Sequence, residues 1–297
     1  MKTNAIVRIV IWSIVIIVLV GLLCSIIFGT SYLRSVFSGT TVIQKDVISI
    51  ETPAEVLESE ETLSIPADQV TDIEIEWVAG SILIQPADVD EIKISESDVT
   101  DEKYAMRWKL KGNKLSILFC EDTTISFNFG INIHTDLNKD LVIFVPRDWT
   151  CDTLEIDAAA ASVEVNDLTI REVEFDGASG VCAFENCTVD TIDIDTASGD
   201  IEFYGSLNVL DFDGASGAIT AVLTNTPNRL DIDGMSGDMD ITLPADTGFT
   251  VSMNAMSSDF SSDFETTTKN GNQVHGDGSC RINIDAMSGD VTIRKGQ

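Results

Sequence analysis

The chain has 297 residues, and its 49 acidic and 18 basic side chains give a formal net charge of −31 at pH 7. A surface this acidic repels nucleic acid and anionic lipid headgroups, which argues against DNA, RNA or peripheral membrane binding. The length allows one large domain or two ordinary ones.

The N-terminal segment, residues 1–28, differs in composition from everything after it. The stretch from Ile9 to Phe28 contains no charged residue, and as a helix it would span roughly 30 Å, the thickness of a bilayer's hydrocarbon core. Lys2 and Arg8 precede it, and basic residues flank the cytoplasmic side of membrane helices. The sequence therefore predicts one transmembrane helix that contacts the lipid bilayer through residues 9–28. The protein would be a single-pass cell-membrane protein with a cytoplasmic N-terminus and its bulk extracytoplasmic.

A cleaved signal peptide is the alternative interpretation of this segment. Signal peptides usually have an apolar region of roughly 7–15 residues and a small-x-small cleavage site. The apolar stretch here is longer and has no A-x-A-like end. The pattern favours a retained anchor and leaves open whether the helix is ever cleaved.

Residues 29–65 are predicted to be a linker. The segment contains Gly29, Gly39 and Pro53. Its acidic residues cluster near the end, at Glu51, Glu55, Glu58, Glu60 and Glu61. Because glycine, proline and clustered like charges favour an open chain, we expect an acidic and largely flexible stalk.

The domain that follows, residues 66–297, is predicted to be all-β. Its first part, 66–150, is irregular, and Met106–Phe119 within it alternates around Gly112-Asn113 as a β-hairpin does. Its second part, 151–297, repeats one phrase about every 19–20 residues. The clear copies begin at Phe175, Ile194, Phe212, Ile232, Met253 and Ile284, and weaker ones begin at Ile75 and Ile156.

A repeat of this length is typical of a solenoid, in which each unit buries its apolar face against its neighbours. Leu230–Asp233 alternates apolar and acidic residues, which predicts short strands with one face inward. A Ser-Gly corner follows, where a glycine such as Gly217 allows backbone angles that a β-carbon resists. The predicted fold is thus a β-solenoid, similar to a right-handed β-helix, with coils stacked at roughly 4.8 Å.

The C-terminal part departs from the regular spacing. An insertion lengthens the last repeat interval, and Lys269–Asn272 within it is typical of a turn. Arg294 and Lys295 follow the last predicted strand and are expected to protect an exposed edge.

The spaced S-G-D-[IV]-x-[IV] units resemble the bacterial "putative adhesin" domain family of unknown function, over roughly residues 68–294. The likeness includes Leu141–Pro146, Ile241–Pro244 and His275–Gly278 in addition to the final Met287–Asp290. Similar proteins accompany Lia-type envelope-stress loci. The resemblance implies a β-helix-like domain of the cell envelope. The first hypothesis of function is therefore a membrane-anchored, extracytoplasmic interaction or envelope-stress-sensing module without catalysis, whose partner is an unidentified envelope or surface protein or polymer.

Aspartates recur at fixed repeat positions and would form columns along a solenoid. The first column holds Asp157, Asp176, Asp195, Asp213, Asp233 and Asp285, completed by Asn254. The second holds Asp193, Asp211 and Asp231, and the third holds Asp200, Asp238, Asp259 and Asp290. Stacked carboxylates repel by about 1 kcal/mol per pair in water. Hydrogen bonds, raised pKa values or cations must offset this repulsion.

Two interpretations of the columns stay open. Each aspartate could cap its own turn through backbone N–H groups. Alternatively, carboxylate and carbonyl oxygens could bind Ca²⁺, and the candidate ligands are Asp195, Asp213, Asp233, Asp200 and Asp238. The sequence lacks the calcium-binding nonapeptide. A Ca²⁺-binding surface structural protein is the second hypothesis of function, and no other cofactor is expected.

An enzyme is not expected. A polysaccharide-active β-helix would need a position that breaks the repeat. Carboxylates about 5 Å apart, the spacing of retaining glycosidases, would recur at every coil and so indicate nothing. The sequence also contains no G-x-S-x-G, H-E-x-x-H or P-loop motif.

Basic residues cluster in and before the predicted hairpin, at Lys103, Arg107, Lys109, Lys111 and Lys114. A solvated hairpin face explains them, and docking on the acidic face of another copy or on an anionic wall polymer is the alternative. Cysteines outside the apolar segment are Cys120, Cys151, Cys182, Cys187 and Cys280. They form neither a C-x-x-C pair nor a zinc-ligand pattern, so we expect them in the core.

Overall fold

The chain forms an all-β structure in the part that the computed structural model describes, residues 55–56, 62–97, 99, 104–120, 138–257 and 259–296. These residues belong to one compact unit. The predicted membrane helix in residues 1–28 lies outside the described residues, as does most of the predicted linker. Within the described ranges, no helix is long and apolar enough to cross a membrane.

The strands follow one another with short connections. The N-terminal strands are β1 (Glu55–Val56), β2 (Leu63–Pro66), β3 (Asp72–Ala87), β4 (Glu91–Glu96), β5 (Arg107–Lys111), β6 (Lys114–Leu118) and β7 (Lys139–Pro146), with a 3₁₀ helix at Ala67–Gln69. The middle strands are β8 (Thr150–Asn166), β9 (Thr169–Ser216), β10 (Ile219–Leu223), β11 (Arg229–Ser236) and β12 (Met239–Leu243). The C-terminal strands are β13 (Phe249–Ser257), β14 (Phe260–Ser262), β15 (Thr267–Lys269), β16 (Asn272–His275), β17 (Cys280–Ser288) and β18 (Val291–Lys295).

The repeat units stack as parallel strands with equivalent positions side by side. Ile156 of β8 pairs with Phe175 of β9, and Phe212 of β9 pairs with Ile232 of β11. Strand β9 continues for 48 residues because its corners bend the chain without interrupting the backbone pairing. This parallel, in-register stacking agrees with the predicted solenoid.

Alternation along each strand places the core in the interior of the stack. In β3, Ile73, Ile75 and Trp77 are buried, whereas Glu74 and Glu76 between them face outward. Equivalent apolar positions of successive coils contact one another and form one continuous core. No single coil could bury its apolar side chains alone, so the stability of each coil depends on its neighbours.

Glycine is required at the corner position because neighbouring coils approach closely there. Gly217 has φ of +143°, and a β-carbon on it would lie under 3.0 Å from the carbonyl oxygen of Gly199 in the next coil. Ala161 occupies the same position in β8 without a positive φ. One corner therefore tolerates a side chain because its backbone turns differently.

The order of coils in the stack differs from their order in the sequence at both ends. Strand β17 pairs with β11 on one side and with β13 on the other, and β18 pairs with β12 and β14. The last coil of the chain is thus inserted between two earlier ones. At the other end, β3 lies between β8 and the pair β6 and β7.

The expectation that Arg294 and Lys295 protect an exposed edge is therefore wrong. Their strand is internal, and Arg294 forms an ion pair with Asp240, its Nη2 lying 2.7 Å from Oδ2. The side chains explain the order: Val291 and Ile293 are aliphatic and fully buried on both sides. The coil at residues 249–262 carries Met253 and Phe260 at its inward positions, which stay half-buried at the end of the stack.

Part of the predicted linker belongs to the folded domain. Strand β2 pairs antiparallel with β4, bringing Leu63 beside Ile94 and Ile65 beside Ile92. Strand β1 pairs with β5. Alternating apolar residues just before residue 66 thus add to the sheet, although acidic residues precede them.

Both predicted turns are confirmed. Strands β5 and β6 form the hairpin around Gly112 and Asn113. Strands β15 and β16 form a second hairpin, with positive φ at Asn270 and Gly271.

Candidate recognition surface

One face of the stack carries two adjacent columns of carboxylates, which we call the acidic face. Residues at positions i and i+2 of a strand share a face, so outward residues such as Glu74 and Glu76 begin parallel columns. Along the stack, successive members lie about 4.8 Å apart, and the two columns are separated by roughly 7 Å. The acidic face comprises Glu74, Glu155, Glu174, Asp193, Asp211 and Asp231 in one column and Glu76, Asp157, Asp176, Asp195, Asp213, Asp233 and Asp285 in the other.

The first aspartate column contains every predicted member, with Glu76 in addition, but not in the predicted order. Asp213 pairs with Asp233, and Asp233 pairs with Asp285. Asn254 follows Asp285 and donates a hydrogen bond from Nδ2 to its Oδ1 at 2.8 Å. The inserted last coil thus places Asp285 between Asp233 and Asn254.

The second column is longer than the sequence analysis indicated. Glu74, Glu155 and Glu174 occupy the position that aspartates fill in later coils. The sequence analysis did not include these positions because they hold glutamate instead of aspartate. The signal was present, since each glutamate lies between two apolar residues directly before the repeat phrase.

Basic and amide side chains neutralise the two ends of this column. The Nζ atom of Lys114 lies 2.9 Å from Oε1 of Glu74 and 2.8 Å from Oε2 of Glu155. At the other end, Arg229 pairs with Asp231, and Asn283 donates to Oδ1 of Asp231 at 2.7 Å. Lys114 and Arg229 thus form ion pairs with carboxylates at opposite ends of the column.

Glu174 lies in the middle of the column with its side chain exposed. Partial burial of its carboxyl group raises its pKa, the neighbouring carboxylates of Glu155, Glu172 and Asp193 raise it further, and Lys114 opposes the shift. A positively charged group placed at this point would reduce the repulsion between the carboxylates.

The third column has a structural role. Oδ1 of Asp200 accepts a hydrogen bond from the backbone N–H of Ala218 at 2.8 Å. Oδ1 of Asp238 accepts from the N–H of Asp290 at 3.0 Å, and Oδ1 of Asp290 accepts from the N–H of Asp259 at 3.1 Å. Each of these three aspartates thus caps the corner of the adjacent coil, whereas the capping interpretation placed the bond within its own turn.

A further member of the third column escaped the sequence analysis. Asp140 accepts hydrogen bonds from the N–H of Ser81 at 3.1 Å and from its Oγ at 2.7 Å. Asp140 and Ser81 are paired across neighbouring strands. No repeat phrase surrounds Asp140, so the sequence offered no reason to place it there.

The five candidate Ca²⁺ ligands do not converge on one point. Asp195, Asp213 and Asp233 lie in the acidic face, whereas Asp200 and Asp238 lie beyond the corner. Asp200 and Asp238 are two coils apart, roughly 10 Å along the stack. Among the described residues, no group of three or more histidine, cysteine, aspartate or glutamate side chains is arranged to hold a metal ion.

The basic cluster of the hairpin is divided by the fold. Arg107 is buried, and Lys114 pairs with the acidic face. Lys109 is partly exposed and Lys111 fully so, while Lys103 lies outside the described residues. Two of the five residues, Arg107 and Lys114, therefore serve the chain itself.

A buried ion pair near the N-terminal end of the stack was not anticipated. Nζ of Lys139 lies 2.5 Å from Oε2 of Glu96, and it also donates to the carbonyl oxygens of Tyr104 and Phe119. The ammonium group lies 4.5 Å from the ring centre of Trp77 and 4.2 Å from that of Phe119. Burial lowers the pKa of Lys139, and Glu96 opposes this shift.

The five cysteines outside the apolar segment are buried, as predicted, and none of them forms a disulfide. Burial raises the pKa of Cys187 to about 11 and those of Cys151 and Cys280 to about 12. These thiols are core residues and are poor nucleophiles at neutral pH.

Comparison with known proteins was informative for the family and for the fold. The family model described as Toastrack DUF4097 matches residues 62–294. No protein of curated function matches the sequence significantly.

Solved structures with similar folds share little sequence. A "putative adhesin" from Bacteroides fragilis aligns with 78% of this chain and 96% of its own, at 12% identity and a TM-score of 0.50. A "putative cell adhesion protein" from Clostridium sporogenes covers 80% and 98% at 12% identity and a TM-score of 0.34. A "putative lipid binding protein" from Parabacteroides distasonis covers 82% and 98% at 14% identity and a TM-score of 0.38.

Proposed function

The chain belongs to the Toastrack DUF4097 family, and from this premise we propose that it is a membrane-anchored, extracytoplasmic interaction module. It would recognise a cationic partner of the cell envelope through the acidic face, and it would act in envelope-stress sensing without catalysing a reaction. The description of the Bacteroides fragilis protein as a "putative adhesin" agrees with a role in binding.

The acidic face is the observation that supports this proposal most directly. Its carboxylates repeat at a fixed spacing on a rigid stack, so a partner can make the same contact several times along its length. Lys114 and Arg229 form ion pairs with members near its two ends, and in the middle partial burial and neighbouring negative charge raise the pKa of Glu174. A partner with lysine or arginine side chains at matching intervals would relieve that repulsion.

A binding role without catalysis agrees with the residues that line the interior. The cavity between the middle coils is lined by aliphatic and aromatic side chains, including Ile194, Phe203 and Leu210. Such a lining provides no acid, base or nucleophile. The carboxylates, in turn, lie on an open face that does not exclude water, whereas catalytic sites are usually enclosed.

The anchor is the apolar stretch from Ile9 to Phe28, which lies outside the described residues. Its length and the preceding Lys2 and Arg8 support a single membrane crossing. Protease added to intact cells should therefore remove the domain after residue 29. Full protection of the domain would reverse the topology, and release into the medium without protease would indicate cleavage.

The binding proposal is tested by neutralising the acidic face. The full-length chain and the triple variant Glu174→Gln, Asp193→Asn, Asp211→Asn are used to capture partners from envelope extracts. The matched control Glu164→Gln, Glu185→Gln, Glu202→Gln removes the same charge from strand segments beyond the corner. We expect the acidic-face variant to lose the captured partner and the control to retain it.

Three results would contradict the proposal. Equal capture by both variants would mean that the acidic face is not the binding surface. A partner that is not basic would remove the charge argument. Hydrolysis of a cell-wall or plant polysaccharide by the purified protein would overturn the non-catalytic assignment.

A further inference from the structure

The two ends of the stack are finished differently. At the N-terminal end, antiparallel strands cover the last parallel strands: β5 pairs with β6, and β4 pairs with β7. Short strands β1 and β2 then cover β5 and β4. Short, antiparallel outer strands are a common way to block further strand addition.

At the C-terminal end, the coil of β13 and β14 is the outermost one. On its outer side, β16 pairs with β13 only from Phe249 to Val251. In the part of the chain that the structure describes, no strand pairs with the outer side of Ser252–Ser257 or of Phe260–Ser262. Alternate residues of a parallel strand direct their N–H and C=O groups to opposite sides, so this edge presents backbone groups ready to pair.

Apolar side chains are also incompletely covered at this end. Met253, Ala255 and Phe260 occupy core positions but are only partly buried, whereas Ile284 and Val291 at the equivalent positions of the adjacent coil are fully buried. A further layer on this edge would bury them.

The end coil is the least acidic of the clear repeats. Residues 249–262 contain one carboxylate, Asp259, whereas residues 229–243 contain Asp231, Asp233, Asp238 and Asp240. The two columns of the acidic face end in neutral residues here, Ser252 and Asn254. Neutral residues at the ends of the columns reduce electrostatic repulsion most when the approaching surface is itself acidic. A second copy of this chain presents such a surface.

We propose that two copies of the chain associate through this edge, strand β13 pairing with its own equivalent. Identical strands related by a twofold axis run antiparallel, and the contact is closed because the described residues of each copy contain one outermost parallel coil left largely uncovered. The covered N-terminal end prevents growth into a fibre. The carboxylates of inner coils would make this pairing repulsive, and their replacement by Ser252 and Asn254 removes the repulsion.

Cross-linking of the purified full-length chain in detergent tests the proposal. In a Cys24→Ser background, Ser257→Cys places a reactive thiol on the exposed end of β13, while the other cysteines are buried. A bismaleimide should yield a species of twice the chain's mass plus that of the linker. Thr188→Cys, exposed on a middle coil, should not.

The decisive variant restores acidity at the edge. Ser252→Asp with Asn254→Asp should lower the dimer yield about tenfold or more, because in an antiparallel pair the added carboxylates of one copy lie opposite or diagonal to those of the other. Thr169→Asp with Thr188→Asp adds the same charge to exposed positions of middle coils and should leave the yield unchanged. Circular dichroism melting checks that both variants fold.

The remaining outcomes overturn the proposal. A monomer at all protein concentrations, or a cross-link only to a protein of another mass, would exclude self-association through this edge. A dimer that both acidic variants weaken equally, or that neither weakens, would place the contact elsewhere.

Discussion

Replacing Gly217 by alanine tests how closely the coils approach at the corner. Gly217 has φ of +143°, and a β-carbon there would lie under 3.0 Å from the oxygen and 2.8 Å from the carbon of the Gly199 carbonyl. Holding a non-glycine residue in such a sparsely populated conformation costs roughly 1–3 kcal/mol. The clash adds to this cost because it involves the backbone of a neighbouring coil, which cannot rotate away.

The clash can be relieved only by separating the coils. Two hydrogen bonds join this corner to its neighbours: Gly217 N–H to the oxygen of Ser236 at 3.2 Å, and Ala218 N–H to Asp200 at 2.8 Å. Each contributes about 1 kcal/mol net. We therefore expect Gly217→Ala to lower the free energy of unfolding by about 3–5 kcal/mol.

Gly112→Ala separates the two contributions. Gly112 has φ of +65°, but no heavy atom would lie within 4 Å of a β-carbon on it. This variant should lose only the conformational cost, about 1–2 kcal/mol. Urea unfolding followed by far-ultraviolet circular dichroism measures both. Equal losses in the two variants would refute the close approach of the coils.

Three further predictions concern the charged groups. Glu174→Gln should raise the free energy of unfolding at neutral pH, because the raised pKa of Glu174 makes its ionisation unfavourable in the folded state. This gain in stability should disappear as the pH falls towards 4.5, the ordinary pKa of glutamate, where the wild-type carboxyl group is protonated. A gain that stays constant with pH in urea titrations would contradict this prediction. Lys139→Met should lower the free energy of unfolding by about 3–5 kcal/mol, because it leaves the Glu96 carboxylate buried without its ammonium partner. Adding Glu96→Leu should recover most of this loss. A Lys139→Met variant as stable as the wild type in the same unfolding assay would exclude a strong ion pair. Millimolar Ca²⁺ should raise the melting temperature no more than matched ionic strength does, because Asp200 and Asp238 already accept backbone hydrogen bonds, and a larger rise would identify a metal site.

The repeat could be predicted from the sequence because it is a local pattern. Alternation such as that in Leu230–Asp233 specifies which side chains point inward, and a glycine such as Gly217 specifies where the chain turns. Both signals depend on residues that are near one another in the chain. They were sufficient for an all-β stack with aspartates in columns, for the two hairpin turns and for buried cysteines.

The order of the coils depends on which coil packs against which, and only the tertiary structure decided it. The repeat phrase alone does not place the coil that begins at Ile284 inside the stack and the one that begins at Met253 at its end, because both are copies of that phrase. The difference arises when Val291 and Ile293 are covered from both sides while Phe260 is left half-buried. The consequence is an open edge at residues 252–262 instead of at the C-terminus.

The same reason explains what the sequence missed in the charged groups. Lys139 and Glu96 are 43 positions apart in the sequence. Without the fold, each has the character of an ordinary surface residue. Packing against Trp77 and Phe119 makes them a buried ion pair near the N-terminal end of the stack. The sequence by itself determined the repeating unit and its inward face, because these follow from local alternation and backbone preference. Which units become neighbours, and which charges become buried, was decided by long-range packing.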